Sequence, residues 1–263
     1  VYFSDYYVKQ AIAADLLLPV DSSKIEGLSD LYEFCQNPNN GYGPGYTVTG
    51  FGILYDPTAF DYPITSWKQL WNDDVMSELA VPDITVTSGP YMVEIAGKVA
   101  GVSPEENEDP AFELIKKLAD NGSIFYSSTG DLVSKFELGE VSVAVCQDFD
   151  ASTIRAAKEG LEYVIVPEEG SYLGINQVNI TKSCKNPELA YKFISWLISY
   201  DVQYEDALAR VEAPANTKVE LTEEQADGMC YGDAVKISSA PNWALYSERN
   251  DAWILRYNEE IYQ

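Results

Sequence analysis

The stretch Ser171–Tyr200, SYLGINQVNITKSCKNPELAYKFISWLISY, constrains the fold more than any other part of the chain. Its first third reads as a strand, its middle as a short turn, and its last third as an amphipathic helix. Asn186 stands where an N-cap is needed, and Pro187 falls at the first helical position, where a missing N–H costs nothing. Leu189, Phe193, Trp196 and Leu197 then share one helical face, which predicts that this face turns inward. A strand that hands over to such a helix belongs in an α/β domain.

The rest of the chain repeats that alternation. Val1–Phe3 reads as a strand already under way, and Tyr7–Leu17 as a helix. The breaker-rich segment 36–45, QNPNNGYGPG, reads as a loop, and Tyr46–Tyr55 as the strand after it. Ser66 caps a short helix at Trp67–Trp71, followed by a buried strand at Leu79–Val81. Helices are predicted from Ser88 to Val99 and from Asp109-Pro110 to the stop signal Asn121-Gly122, the second with Phe112, Ile115 and Leu118 inward. Ile124–Tyr126, Val141–Cys146 and Tyr163–Val166 read as strands, with helices at Asp131–Glu137, closed by Gly139, and Ala151–Glu159 between them. Helices near 202–210, 222–227 and 250–261 complete the tail. Because a strand is under way at Val1, the chain reads as beginning inside a domain, with a leader and a first βαβ portion outside the sequence.

Composition removes whole classes of function. With 263 residues, 46% of them hydrophobic, the chain has enough material for one large core or two modest ones. A net charge of −25 argues against nucleic acid and anionic membrane surfaces, since phosphate contacts need Lys and Arg. The chain has no histidine, which removes Ser-His-Asp triads, the commonest general base and His-based metal sites, so neither metal nor cofactor is expected. The four cysteines, Cys35, Cys146, Cys184 and Cys230, are scattered and read as free thiols, with one disulfide left open. No apolar run reaches the roughly 18 residues needed to span a bilayer.

Several phrases, in order, resemble the solute-binding proteins of ABC importers, in particular the spermidine/putrescine-binding-like group related to iron- and thiamine-binding members. They are Ser4-Asp5-Tyr6-Tyr7-Val8 with Leu16-Leu17-Leu18-Pro19-Val20-Asp21, then Thr65-Ser66-Trp67-Lys68-Gln69-Leu70-Trp71, then Phe136-Glu137-Leu138-Gly139-Glu140-Val141. The last is Lys185-Asn186-Pro187-Glu188-Leu189-Ala190 running on to Trp196-Leu197 and Asp201-Val202-Gln203. The resemblance implies an α/β fold of the type II periplasmic-binding-protein kind, with two lobes, crossing hinge strands and a ligand cleft. One lobe is expected from 1–52 plus 176–212, and the other from 53–175 plus 213–263. It also implies no catalysis, a small polar solute, a membrane permease as partner, a monomer, and a location in the periplasm or, as a lipoprotein, on the cell surface.

The expected ligand residues combine this resemblance with local chemistry. Ser4 and Tyr6 end the first strand, where a hydroxyl and a phenol either bond a ligand or, for Ser4 or Asp5, cap the helix. Tyr46 opens a crossing strand, where an aromatic face holds a cation or belongs to the core. Asp83, Ser88 and Tyr91 lie on a loop that enters a helix, so Ser88 is either an ordinary cap or part of an anion site built from the first helical amides. Gln147 and Asp148 follow the strand Val141–Cys146, with Asp150 expected to cap the next helix. Asn176 stands where the polyamine-binding members carry a Trp-x-Asp phrase, and this chain lacks both the tryptophan and the carboxylate. Glu212 is either a ligand carboxylate or a solvated one, and Trp243 is expected to be packing. An organic cation of the polyamine kind is the favoured solute; the alternatives are an organic phosphate or carboxylate at the Ser88 helix start, or a ligand-sensing module built on the same lobes.

Overall fold

The computed structural model describes residues 1–262. Its strands are β1 (Tyr2–Ser4), β2 (Leu17–Leu18), β3 (Gly45–Tyr55), β4 (Leu79–Pro82), β5 (Ile124–Tyr126), β6 (Val143–Gln147), β7 (Glu162–Val164), β8 (Tyr172–Val178), β9 (Ile180–Thr181) and β10 (Ala213–Pro214). Its α-helices are α1 (Asp5–Ala13), α2 (Glu33–Gln36), α3 (Asp73–Met76), α4 (Gly89–Ala100), α5 (Asp109–Asp120), α6 (Thr129–Leu138), α7 (Asp148–Ala157), α8 (Pro187–Leu197), α9 (Tyr200–Leu208), α10 (Glu223–Ala226), α11 (Asp233–Ile237) and α12 (Trp243–Arg256). The chain divides into two units. The first holds Val1–Thr49 and Leu173–Lys236, and the second holds Gly50–Tyr172 and the chain from Ile237 on.

The second unit is a βα sheet. The far half of β3 pairs antiparallel with β6, Phe51 opposite Gln147, and with β7, Ile53 opposite Val164. β4 runs parallel to both β6 and β5, and α4, α5 and α6 supply the crossovers that parallel pairing requires. Leu54, Ala144 and Ala80 lie side by side across this register and meet Leu132 and Phe136 of α6 and Ile154 of α7. Every residue of β3 is buried. A Cβ at Gly52 would meet the Val164 carbonyl oxygen at 2.3 Å, so only glycine lets β7 approach. Gly139 ends α6 at φ 70°, the left-handed stop expected from the sequence.

In the first unit β1 pairs antiparallel with β8, setting Ser4 opposite Asn176 and Phe3 opposite Gln177. β2 pairs with β9, and Val8, Ala11 and Leu17 form a small core with Phe3, Ile12 and Tyr42. β10 pairs with the near half of β3, Ala213 opposite Val48. That pairing places 213–236 with the first unit, not with the second as the sequence suggested, and the crossings fall within β3 and at the start of β8, a few residues from the expected 52 and 175. Within the first unit Gln203 of α9 ties β3 to the segment after β10: its Nε2 donates to Tyr46 O at 2.8 Å, and its Oε1 accepts from Ala215 N at 2.8 Å.

The face of α8 is a correction. Asn186 caps it as expected, accepting from Leu189 N at 3.2 Å. Ile194 and Leu197 are buried, but Leu189, Phe193 and Trp196 are 60%, 41% and 56% exposed. The reason lies in the polar side of the helix. Tyr191 Oη accepts from Asp21 N, Ser195 Oγ accepts from Glu26 N, and Glu188 pairs with Lys24. These contacts turn Tyr191 and Ser195 toward residues 21–26 and leave the 189–193–196 row outside. All four cysteines are free thiols. Among the described residues no helix is long and apolar enough to cross a membrane.

Candidate functional site

The first unit gathers five of the expected residues around two places. At the β1–α1 corner, Ser4 precedes the helix in extended conformation, but its side chain makes no capping bond and its Oγ is buried without a partner. Asn176 is half-buried opposite it. Tyr6 is buried, with its ring edge-on to Tyr7 at 5.1 Å. At the second place Tyr46 Oη donates to Glu212 Oε1 at 3.3 Å, and the Tyr2 ring lies 5.2 Å from the Tyr46 ring. Burial and then the Glu212 carboxylate hold the Tyr46 phenol well above its ordinary pKa. Burial, then Glu212 and Asp206, raise that of Tyr2. Both phenols stay protonated, each a donor with an aromatic face beside negative charge. Tyr2 carried no signal in the sequence, since its place against Tyr46 depends on β1 returning to the sheet beside β8.

In the second unit the loop before α4 is internally bonded. Asp83 Oδ1 accepts from Thr85 N at 2.8 Å and from Thr85 Oγ1, and the Tyr262 phenol donates to Asp83 Oδ2. Ser88 precedes α4 with helical dihedrals and no side-chain cap; its hydroxyl reaches the Tyr126 phenol instead. Three positions expected to serve an anion there, Gly89, Pro90 and Tyr91, have no amide to spare. The Gly89 and Tyr91 amides are spent on the Val86 and Ser88 carbonyls at 2.9 and 3.1 Å, and Pro90 has none. Tyr91 is only 2% exposed, ringed by Phe51, Tyr172, Trp243 and Tyr246 at 4.9–6.0 Å. It is a core aromatic, as is Trp243.

The β6–α7 junction also differs in detail. The helix begins at Asp148, three residues before the expected Ala151, with half-buried Gln147 in the cap position. Asp150 therefore sits inside the first turn, not at the cap. Its carboxylate accepts from the Gln147 amide and from Thr129 Oγ1 at 2.5 Å, and burial pushes its pKa up to about 6. Asp148 is buried, and its Oδ1 accepts from Phe149 N at 3.0 Å.

Sequence reasoning passed over Asp5 as more than a possible cap. It is 8% exposed, and its Oδ1 accepts from Asn39 Nδ2 and Gln177 Nε2, each at 2.6 Å. The signal was present in the Ser4-Asp5-Tyr6 run, a carboxylate between two candidates. What could not be read was its union with Gln177, 172 residues away.

Compared with known proteins, residues 1–229 match the family described as bacterial extracellular solute-binding protein. The spermidine/putrescine-binding periplasmic protein of Salmonella typhimurium is 28% identical over 209 residues, covering 78% of this chain and 59% of that protein. The chain thus spans less than two thirds of the length of that curated relative. A solved structure of an ABC transporter protein from Clostridium perfringens ATCC 13124 is 36% identical with a TM-score of 0.84, covering 99% of this chain and 82% of that one. The spermidine/putrescine ABC transporter substrate-binding protein of Streptococcus pneumoniae shares the fold at 21% identity, TM-score 0.78, covering 98% of this chain and 83% of that one.

Proposed function

Because this chain belongs to the bacterial extracellular solute-binding protein family and has the α/β type II periplasmic-binding-protein fold of its structural neighbours, we propose that it is the solute-binding component of an ABC importer and that its solute is an organic cation of the polyamine class. It works outside the cytoplasm, in the periplasm or as a lipoprotein on the cell surface, and delivers the solute to a membrane permease. The observation that carries the solute class is the Tyr2–Tyr46–Glu212 assembly. An ammonium stem lies favourably on a phenol face, and a carboxylate beside it supplies the charge-assisted bond. The spermidine/putrescine-binding relative in Salmonella typhimurium points the same way. The anionic alternative is weakened at the Ser88 helix start, where the Gly89 and Tyr91 amides are already bonded and Pro90 has none.

Nothing in the arrangement calls for bond-making, and binding without turnover is expected. Titration calorimetry against spermidine, putrescine and a set of organic phosphates tests the reading. Spermidine or putrescine should bind, and Glu212→Gln should weaken that binding by about tenfold to a hundredfold, as loss of a charge-assisted bond does. Binding of the phosphates alone would overturn the cation class.

A further inference from the structure

Asp5 opens α1, where the helix N-terminus offsets part of its charge, but among the described residues no cation completes the balance. It is a buried carboxylate, and among the described residues no Lys, Arg or amino terminus lies within ion-pair distance of it. Lys9, one helical turn on, acts on it only from a distance. Two neutral amides, from Asn39 and Gln177, both bond the same oxygen, Oδ1. Their orientation is fixed by chemistry: an amide facing a carboxylate must present its NH2, so Gln177 Oε1 is forced to point elsewhere. It is sealed from solvent without a partner, in a side chain with no exposed surface. Ser4 Oγ, on the residue before Asp5, is orphaned in the same way. Two buried oxygens at this corner lack a partner, and a buried carboxylate met only by neutral amides is costly.

The group that would balance this corner is rich in donors, has no acceptor and carries positive charge. A primary ammonium has three N–H donors and no lone pair to offer. The corner also adjoins Asn176, the β-partner of Ser4, where the resemblance leads one to expect a carboxylate that this chain lacks. Resting on the solute reading above, we infer that Asp5 is a specificity-determining ligand residue: its free oxygen Oδ2 receives an ammonium group of the solute, and it supplies here the negative charge absent at position 176. Asn39 and Gln177 are positioning residues that hold the carboxylate by its other oxygen.

The test is Asp5→Asn, which keeps the size of the side chain and removes its charge, with Asp5→Glu as the variant that keeps the charge. Spermidine affinity is measured by calorimetry and the thermal midpoint of the ligand-free protein by circular dichroism. Asp5→Asn should weaken spermidine at least tenfold while the ligand-free midpoint stays or rises, because an unpaired buried charge has been removed. Asp5→Glu should bind within about fivefold of the parent. Unchanged affinity in Asp5→Asn, or equal loss in both variants, would overturn the assignment while leaving the solute reading intact. If the parent itself binds neither spermidine nor putrescine, the solute reading falls and this assignment with it.

Discussion

At the scale of single residues, the carboxylates of Asp5, Asp148 and Asp150 are largely withdrawn from water. Asp150 is the one whose consequence is measurable. Its folded pKa, about 6, lies above the ordinary value of 3.8 because burial disfavours the anion more than its bonds to Thr129 and Gln147 favour it. The folded protein therefore holds a proton here at pH values where the unfolded chain has released it. Stability contributed by this group is greatest at low pH, declines as pH rises from about 4 to about 6, and stays reduced above that. A shift of about two units corresponds to roughly 3 kcal/mol at most. Asp150→Asn should accordingly be more stable than the parent at pH 7, with the difference shrinking toward pH 4, in urea denaturation followed at both pH values. A constant difference across that range would show that the carboxylate is not the titrating group.

At the scale of elements, α8 shows how a helix with apolar residues on two sides chooses which to bury. Ile194 and Leu197 face the core, while Trp196 on the neighbouring row is mostly exposed. Ile194→Ala should cost about 2–5 kcal/mol, the range for deleting a fully buried aliphatic side chain. Trp196→Ser should change stability by only about 0.5 kcal/mol or less, as surface substitutions do. Equilibrium denaturation of the two variants distinguishes the observed seating of the helix from the one that periodicity suggested. A large loss for Trp196→Ser would mean that the row 189–193–196 is covered in solution.

At the scale of the whole molecule, each unit has its own apolar cluster, and the expected ligand residues divide between them. Ser4, Tyr6, Tyr46, Asn176 and Glu212 belong to the first, and Asp83, Ser88, Tyr91, Gln147 and Asp148 to the second. Spermidine at about a hundred times its dissociation constant should stabilise the folded state by about 2.7 kcal/mol and raise the circular-dichroism midpoint by about 5 °C. Intrinsic fluorescence gives a second view, because Trp67, Trp71, Trp243 and Trp253 all lie in the second unit and only Trp196 in the first. No shift in either signal would remove the polyamine from consideration.

What the sequence determined by itself was whatever depends on neighbours along the chain. The capping Ser66, Asn186 before Pro187, and the glycine stop at Gly139 each mark an element end that the structure reproduces. The βα order they delimit sets the fold class, and the ordered phrases set the family. Tertiary structure decided everything that depends on register between distant segments. Pairing of β10 with β3 sent 213–236 to the first unit and carried Glu212 to Tyr46, 166 residues away. Pairing of β1 with β8 brought Asp5 within reach of Gln177. The physical reason is range: a cap or a turn is satisfied within a few residues and leaves its mark there, whereas a strand's partners and a helix's buried face are chosen by whichever long-range arrangement satisfies the most polar groups and buries the most apolar surface at once.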